Sequence, residues 1–159
     1  MHRLNACGII YSFGYGVYAY PKEVWRRVIE LLQQDSIKWV AEFSDCDNHA
    51  TFFRGFADFV LGKPSVVYST GLVFRTQIQY GRKVCVCSSD YLVGGHGWNK
   101  VVTTEPITYE LVGTTQKVTD PFTVYEYEPQ SDELSKDGFF SNGWCYAVGG
   151  GLPIFYGRK

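Results

Sequence analysis

Ser44-Asp45-Cys46-Asp47-Asn48-His49-Ala50-Thr51-Phe52-Phe53-Arg54-Gly55-Phe56-Ala57-Asp58-Phe59-Val60-Leu61 is followed by Gly62-Lys63-Pro64, and the chain changes texture across this run. Phe52, Phe53, Phe56, Phe59 and Val60 recur at helical spacing and predict a helix over residues 45–61. Ser44 is a good N-cap, and Asp47 three residues on completes a capping box. Gly62 and Pro64 stop the helix. Gly55 in its interior costs about 1 kcal/mol against Ala, a cost that close approach of another backbone would explain.

Working outward, a first helix is expected over residues 21–34. Pro21 suits its start, Glu23 complements the dipole in the first turn, and Val24, Val28, Leu31 and Leu32 form an apolar face. Beyond Pro64 the pattern turns to period two with β-branched residues. Strands are expected at 66–69, 72–79, 84–87, 98–103, 107–112, 122–128 and 144–148, with a last one at 154–156. Tyr80-Gly81-Arg82 reads as a hairpin turn, and 119–121 and 131–138 read as loops. The fold class is α+β, with N-terminal helices packed on a C-terminal antiparallel sheet.

A length of 159 residues fits one domain spanning 1–159, with residues 1–20 an irregular leading segment. Aromatic residues at 17% supply ample apolar area for a core, which excludes wholesale disorder. The net charge of −1 carries no electrostatic footprint for nucleic acid or an anionic membrane. No apolar run approaches the roughly 18 residues of a membrane span. The first residues are too rich in Gly and Tyr to read as a signal peptide. Five cysteines cannot all pair within the chain, so a reducing compartment is expected, with Cys85 and Cys87 as core thiols on one strand face.

Cys46 differs from the other four because it stands on the polar opening turn of the second helix. With Ser44 as cap it takes the second helical position, among unpaired N–H groups that favour a thiolate and can donate to an oxyanion. Asp45 and Asp47 flank it and oppose a thiolate unless they are paired, so a partner base matters. Gly94-Gly95-His96-Gly97-Trp98-Asn99 supplies one: His96 at the mouth of a strand, framed by glycines that let another element come near. Trp98 and Asn99 wall the site, and with Gly95 they are the candidate substrate contacts. Val124-Tyr125-Glu126-Tyr127-Glu128-Pro129-Gln130 offers a carboxylate to orient the imidazole. Glu128 at the strand end, Glu126 on the same face, and Glu110, which is 14 residues beyond His96, all stand as candidates. A zinc site from Cys46, His49 and His96 lacks a suitably spaced fourth ligand.

Asp-Cys-Asp-Asn opening a phenylalanine-rich helix, then Gly-His-Gly-Trp-Asn, then a strand ending Glu-Pro-Gln, resembles the papain-like cysteine peptidase superfamily. The resemblance is closest to the compact group related to the C-terminal catalytic domain of a fungal agglutinin, with its bacterial and phage relatives. It covers residues 21–130 in order and implies a papain-like fold with Cys46 as nucleophile, His96 as general base and acid, and Glu128 as the orienting carboxylate. The Cys-Gly-Ser-Cys-Trp run of lysosomal papain-type enzymes is absent, and the upstream oxyanion glutamine has no clear counterpart. The interval of 32 residues from His96 to Glu128 is long for adjacent strands, so residues 104–121 are expected to be an insertion.

These readings converge on a cysteine-dependent peptidase or amidase acting through a thioester on a peptide or protein substrate. A transglutaminase or deamidase would use the same residues. The competing reading is a non-catalytic binding or structural accessory protein, of phage or virion type, that retains the fold. No cofactor is required by this chemistry. The resemblance brings in calcium, for which Asp45, Asp47 and Asp120 supply acids without a recognisable calcium loop. The expected location is the cytoplasm or a virion, with neither membrane nor nucleic acid as partner.

Overall fold

The computed structural model describes residues 4–5, 8–9, 11–13, 17–34, 37–40 and 45–146. Ser44, residues 147–148 and the strand expected at 154–156 lie outside them. Two helices, α1 (Lys22–Leu32) and α2 (Cys46–Leu61), come first in the well-packed part. Ahead of them run β1 (Leu4–Asn5), β2 (Gly8–Ile9) and β3 (Tyr11–Phe13). After them come β4 (Val66–Arg75), β5 (Gln77–Gln79), β6 (Arg82–Val84), β7 (Leu92–Thr103), β8 (Ile107–Glu110), β9 (Lys117–Asp120), β10 (Thr123–Glu128), β11 (Glu133–Ser135) and β12 (Trp144–Tyr146). The class is α+β, with antiparallel pairing between these strands.

The main sheet has the order β11-β10-β7-β4-β12, and β3 also pairs with β4. The segments expected at 66–69 and 72–79 are one strand up to Arg75, because β7 pairs with β4 straight through Thr70 and Gly71. β7 likewise begins earlier than expected, so Gly94–Gly97 lies inside a strand rather than at its mouth. The expected turn at Tyr80-Gly81 joins β5 to β6, with φ of 51° and 72° at its two central residues, the positive pair that a tight hairpin needs. The residues between β7 and β10 include a separate two-stranded sheet, β8 with β9, while β7 and β10 pair directly from Thr103↔Thr123. Strands β9 and β11 occupy stretches read from sequence as loops.

Both helices pack on one face of the sheet. Trp25, Val28, Ile29, Phe53 and Ala57 meet Val66, Val101, Tyr125 and Tyr127. The buried face of α1 is therefore set by Trp25 and Ile29 rather than by Val24 and Leu31, and Leu31 is exposed. The phenylalanines of α2 do not form one buried face either. His49, Ala50, Phe53 and Ala57 point inward, while Phe52 and Phe59 are exposed. At 3.6 residues per turn, positions 52 and 59 fall roughly 130° round the helix from 53 and 57. Gly55 has open space where a Cβ would stand, and no backbone of the described residues approaches it within 4 Å. It lines a cavity of about 490 Å³ along the exposed face of α2, with Asp47, Asn48, Thr51, Phe52 and Phe56.

On the other side of the sheet, Val73, Trp98, Phe140 and Tyr146 form a second cluster. Phe74, Cys85, Phe139 and Cys145 form a third. Cys85 is disulfide-bonded to Cys145 with Cα atoms 5.8 Å apart, and Cys87 is disulfide-bonded too. The expectation of core thiols at 85 and 87 is thus corrected. Both are cross-linked, and Cys46 is the free cysteine among the described residues. No helix among the described residues is long and apolar enough to cross a membrane.

Candidate active site

The first turn of α2 is capped one residue later than expected. Asp45 is the N-cap: its carboxylate accepts from the Asn48 N–H, and the Asn48 side-chain oxygen accepts from the Asp45 N–H, each at 3.4 Å. Aspartate caps as well as serine, and Asn48 closes the reciprocal pair, so the box at 45/48 replaces the one expected at 44/47. Cys46 becomes the first helical residue. The two acids beside it are both engaged, Asp45 in the cap and Asp47 with Tyr68, whose hydroxyl donates to Asp47 Oδ1 at 3.0 Å. The Cys46 thiol lies 3.7 Å from the same oxygen. Burial first, then the bond to Asp47 and its charge, push the Tyr68 hydroxyl up to about 12, so it stays a donor at neutral pH.

Gly97 explains how this turn reaches β7. A Cβ there would stand 2.4 Å from Asp47 Oδ1, 3.2 Å from the Tyr68 hydroxyl and 3.4 Å from Asp47 Cα. A side chain there would displace the Asp47 carboxylate, so glycine lets the turn that carries Cys46 lie against β7 next to His96. Asn99 fastens the same junction from inside, its side-chain N–H donating to the Ala50 carbonyl at 2.9 Å.

His96 is 9% exposed and bridges two partners. Its Nε2 lies 2.5 Å from Glu128 Oε2, and the Cys46 side chain is near enough to raise its pKa. With Nε2 engaged by the carboxylate, Nδ1 is the nitrogen left for the thiol. Burial pulls the imidazole pKa down, but hydrogen bonds to Cys46 and Glu128 and their negative charge outweigh it and carry it to about 9. The ring stacks on Trp98 at 6.2 Å and meets the Trp144 ring edge-on at 5.7 Å. Such aromatic walls suit a cation.

Among the three carboxylates weighed from sequence, Glu128 is the one that meets His96. It is 1% exposed, and its other oxygen accepts from the Gln130 N–H at 3.1 Å. Tyr146, not foreseen from sequence, donates its hydroxyl to Glu128 Oε2. Glu126 instead accepts from Trp98 Nε1–H at 2.7 Å and faces Lys100 Nζ at 3.8 Å. Glu110 sits exposed on the separate hairpin, in register with Lys117. Trp98 and Asn99, named as substrate contacts, are fully buried and hold the frame of the site, whereas Gly95 is exposed beside His96.

The acids named for calcium do not converge. Asp45 and Asp47 are committed at the helix start, and Asp120 lies on β9 opposite Ile107. No cluster of three or more His, Cys, Asp or Glu suited to a metal occurs among the described residues. His49 is buried on the inward face of α2 rather than standing with Cys46 and His96 as a ligand.

Comparison of the chain with protein families, with curated proteins and with solved structures finds no match.

Proposed function

We propose that the protein is a papain-like thiol hydrolase, a peptidase or amidase that works through a Cys46 thioester. One observation carries this reading: the buried His96 ring joins a free cysteine at a helix N-terminus to a buried carboxylate. In the proposed cycle His96, whose pKa of about 9 keeps it protonated at neutral pH, already holds the thiol proton when Sγ attacks the substrate carbonyl carbon. The carbonyl electron pair moves to oxygen, where the Cys46 backbone N–H at the open end of α2 can donate. Collapse expels the amine, which takes its proton from His96, and water then hydrolyses the thioester with the same group as base. Glu128 fixes the ring and compensates the imidazolium.

The compartment belongs to the same proposal. A buried Cys85–Cys145 cross-link fits an oxidising environment better than the reducing one expected from an odd cysteine count. Cys46 then remains the reactive thiol in a chain whose neighbouring cysteines are locked.

Acylation by 4-nitrophenyl acetate tests the reading whatever the natural substrate is. The expected result is release of nitrophenol with an acetyl group on Cys46 in the intact mass, at least tenfold slower in His96→Ala. Equal acetylation in wild type and His96→Ala would remove the dyad.

A further inference from the structure

We propose that Tyr146 is a positioning residue of this site, its hydroxyl sharing Glu128 Oε2 with His96 and thereby governing how tightly the carboxylate holds the ring. The inference deepens the thiol-hydrolase reading and rests on it for its functional meaning. Its geometry stands on the hydrogen bonds themselves.

Tyr146 is fully buried and fixed from several sides. Its ring packs on Trp98 at 4.3 Å and on Phe140 at 4.5 Å, and lies 5.7 Å from the His96 ring. Its backbone N–H donates to the Gly138 carbonyl at 3.1 Å, and β12 pairs it with Val73 of β4. The preceding residue is the disulfide-bonded Cys145. A hydroxyl held this way is built toward Glu128 rather than drifting there.

The groups around His96 define what the hydroxyl does. Cys46 faces it from α2, Glu128 from β10, and Tyr146 from β12. Glu126 on β10 is engaged by Trp98 and Lys100 of β7. Glu128 therefore receives three donors, from His96, Tyr146 and the Gln130 backbone, and two of them meet on one oxygen. Each donor to a carboxylate disperses its negative charge. Tyr146 takes a share of the Glu128 carboxylate, so less of its charge is left to the imidazolium and His96 can give up its proton during the cycle.

The sign of the effect separates a hydroxyl that shares the carboxylate's charge, as proposed, from one that only packs or only props Glu128 in place. Removing the hydroxyl while keeping the ring leaves Glu128 more dependent on the imidazolium, which then persists to higher pH. If the hydroxyl only fills space, nothing moves. If its loss lets Glu128 swing away, the imidazolium is lost at lower pH.

The experiment is an NMR titration of the His96 ring Cε1–H in the full chain, which has three histidines, with the resonance assigned through His96→Gln. For Tyr146→Phe the expected midpoint rises by about half a unit to one unit, and for Glu128→Gln it falls by more than about one unit. Site-specific 3-fluorotyrosine at position 146, a stronger donor of nearly the same shape, is expected to lower the midpoint and covers the case in which Tyr146→Phe does not fold. An unchanged or lowered midpoint in Tyr146→Phe, or an unchanged or raised one with fluorotyrosine, would overturn the proposal. Failure of the thiol-hydrolase reading shows separately, as Cys46 alkylation by iodoacetate that is indifferent to His96→Gln.

Discussion

Gly97 is where a single hydrogen atom decides whether the site assembles. Its Cα lies under Asp47 and the Tyr68 hydroxyl, and a Cβ would press hardest on the Asp47 carboxylate. That carboxylate can yield, but only by breaking its bond to Tyr68 and shifting the turn that carries Cys46. Gly97→Ala is therefore expected to cost about 1–2 kcal/mol of stability and to slow Cys46 acylation by more than tenfold, read by urea unfolding and by nitrophenol release. Gly95→Ala is the control, because a Cβ there meets nothing within 4 Å, and it should leave stability within about 0.5 kcal/mol of wild type. Both glycines look alike in the run Gly94-Gly95-His96-Gly97. Sequence texture says that something comes near this strand. Which glycine bears the approach depends on the side of the strand that α2 crosses, and that is a tertiary fact.

At the scale of elements, α2 and β12 bring the site together from opposite directions. The helix was legible because its polar start, apolar period and Gly-Pro stop all agree. Its buried face was not, since the five large apolar positions cover only about a third of the circumference and packing turns the helix so that Phe53 lies inward with the smaller Ala50 and Ala57. Strand β12 was expected at 144–148, but nothing in so short a stretch names its neighbour, which lies far back along the chain in β4. For that reason Tyr146 was not a sequence-level candidate, while Glu128, at the end of a clear strand, was. The Cys85–Cys145 bridge joins β12 to the chain just after β6 across a sequence separation of 60. Closing a loop of that size restrains the unfolded chain, so the Cys85→Ala/Cys145→Ala double variant should lose about 2–4 kcal/mol in urea unfolding. The loss should be accompanied by weaker protection of the Tyr146 amide in hydrogen exchange.

For the whole molecule, the decisive feature is that β4, β7 and β10 are adjacent in one sheet, with the helices on one face. The order of helices and then strands announced an α+β class, and the long His96-to-Glu128 interval holds the β8–β9 hairpin. A single buried ion pair in this sheet has a global consequence. The His96 imidazole is raised from 6.5 in the unfolded chain to about 9 in the folded one, through its bonds to Cys46 and Glu128 and against burial. Its contribution to stability is full below about pH 6.5 and is lost as pH rises through about 9. The urea midpoint of the wild type should therefore fall across that window, and His96→Gln should flatten the decline, measured at constant ionic strength. The central claim, that Cys46 and His96 act as one nucleophilic unit, is tested most directly by the second-order rate of iodoacetamide alkylation at pH 7, mapped by mass spectrometry on wild type and His96→Ala. The account predicts a single label on Cys46 in the wild type and a rate at least tenfold lower in the variant. The same slow rate in both proteins, or labelling spread over other cysteines, would contradict it.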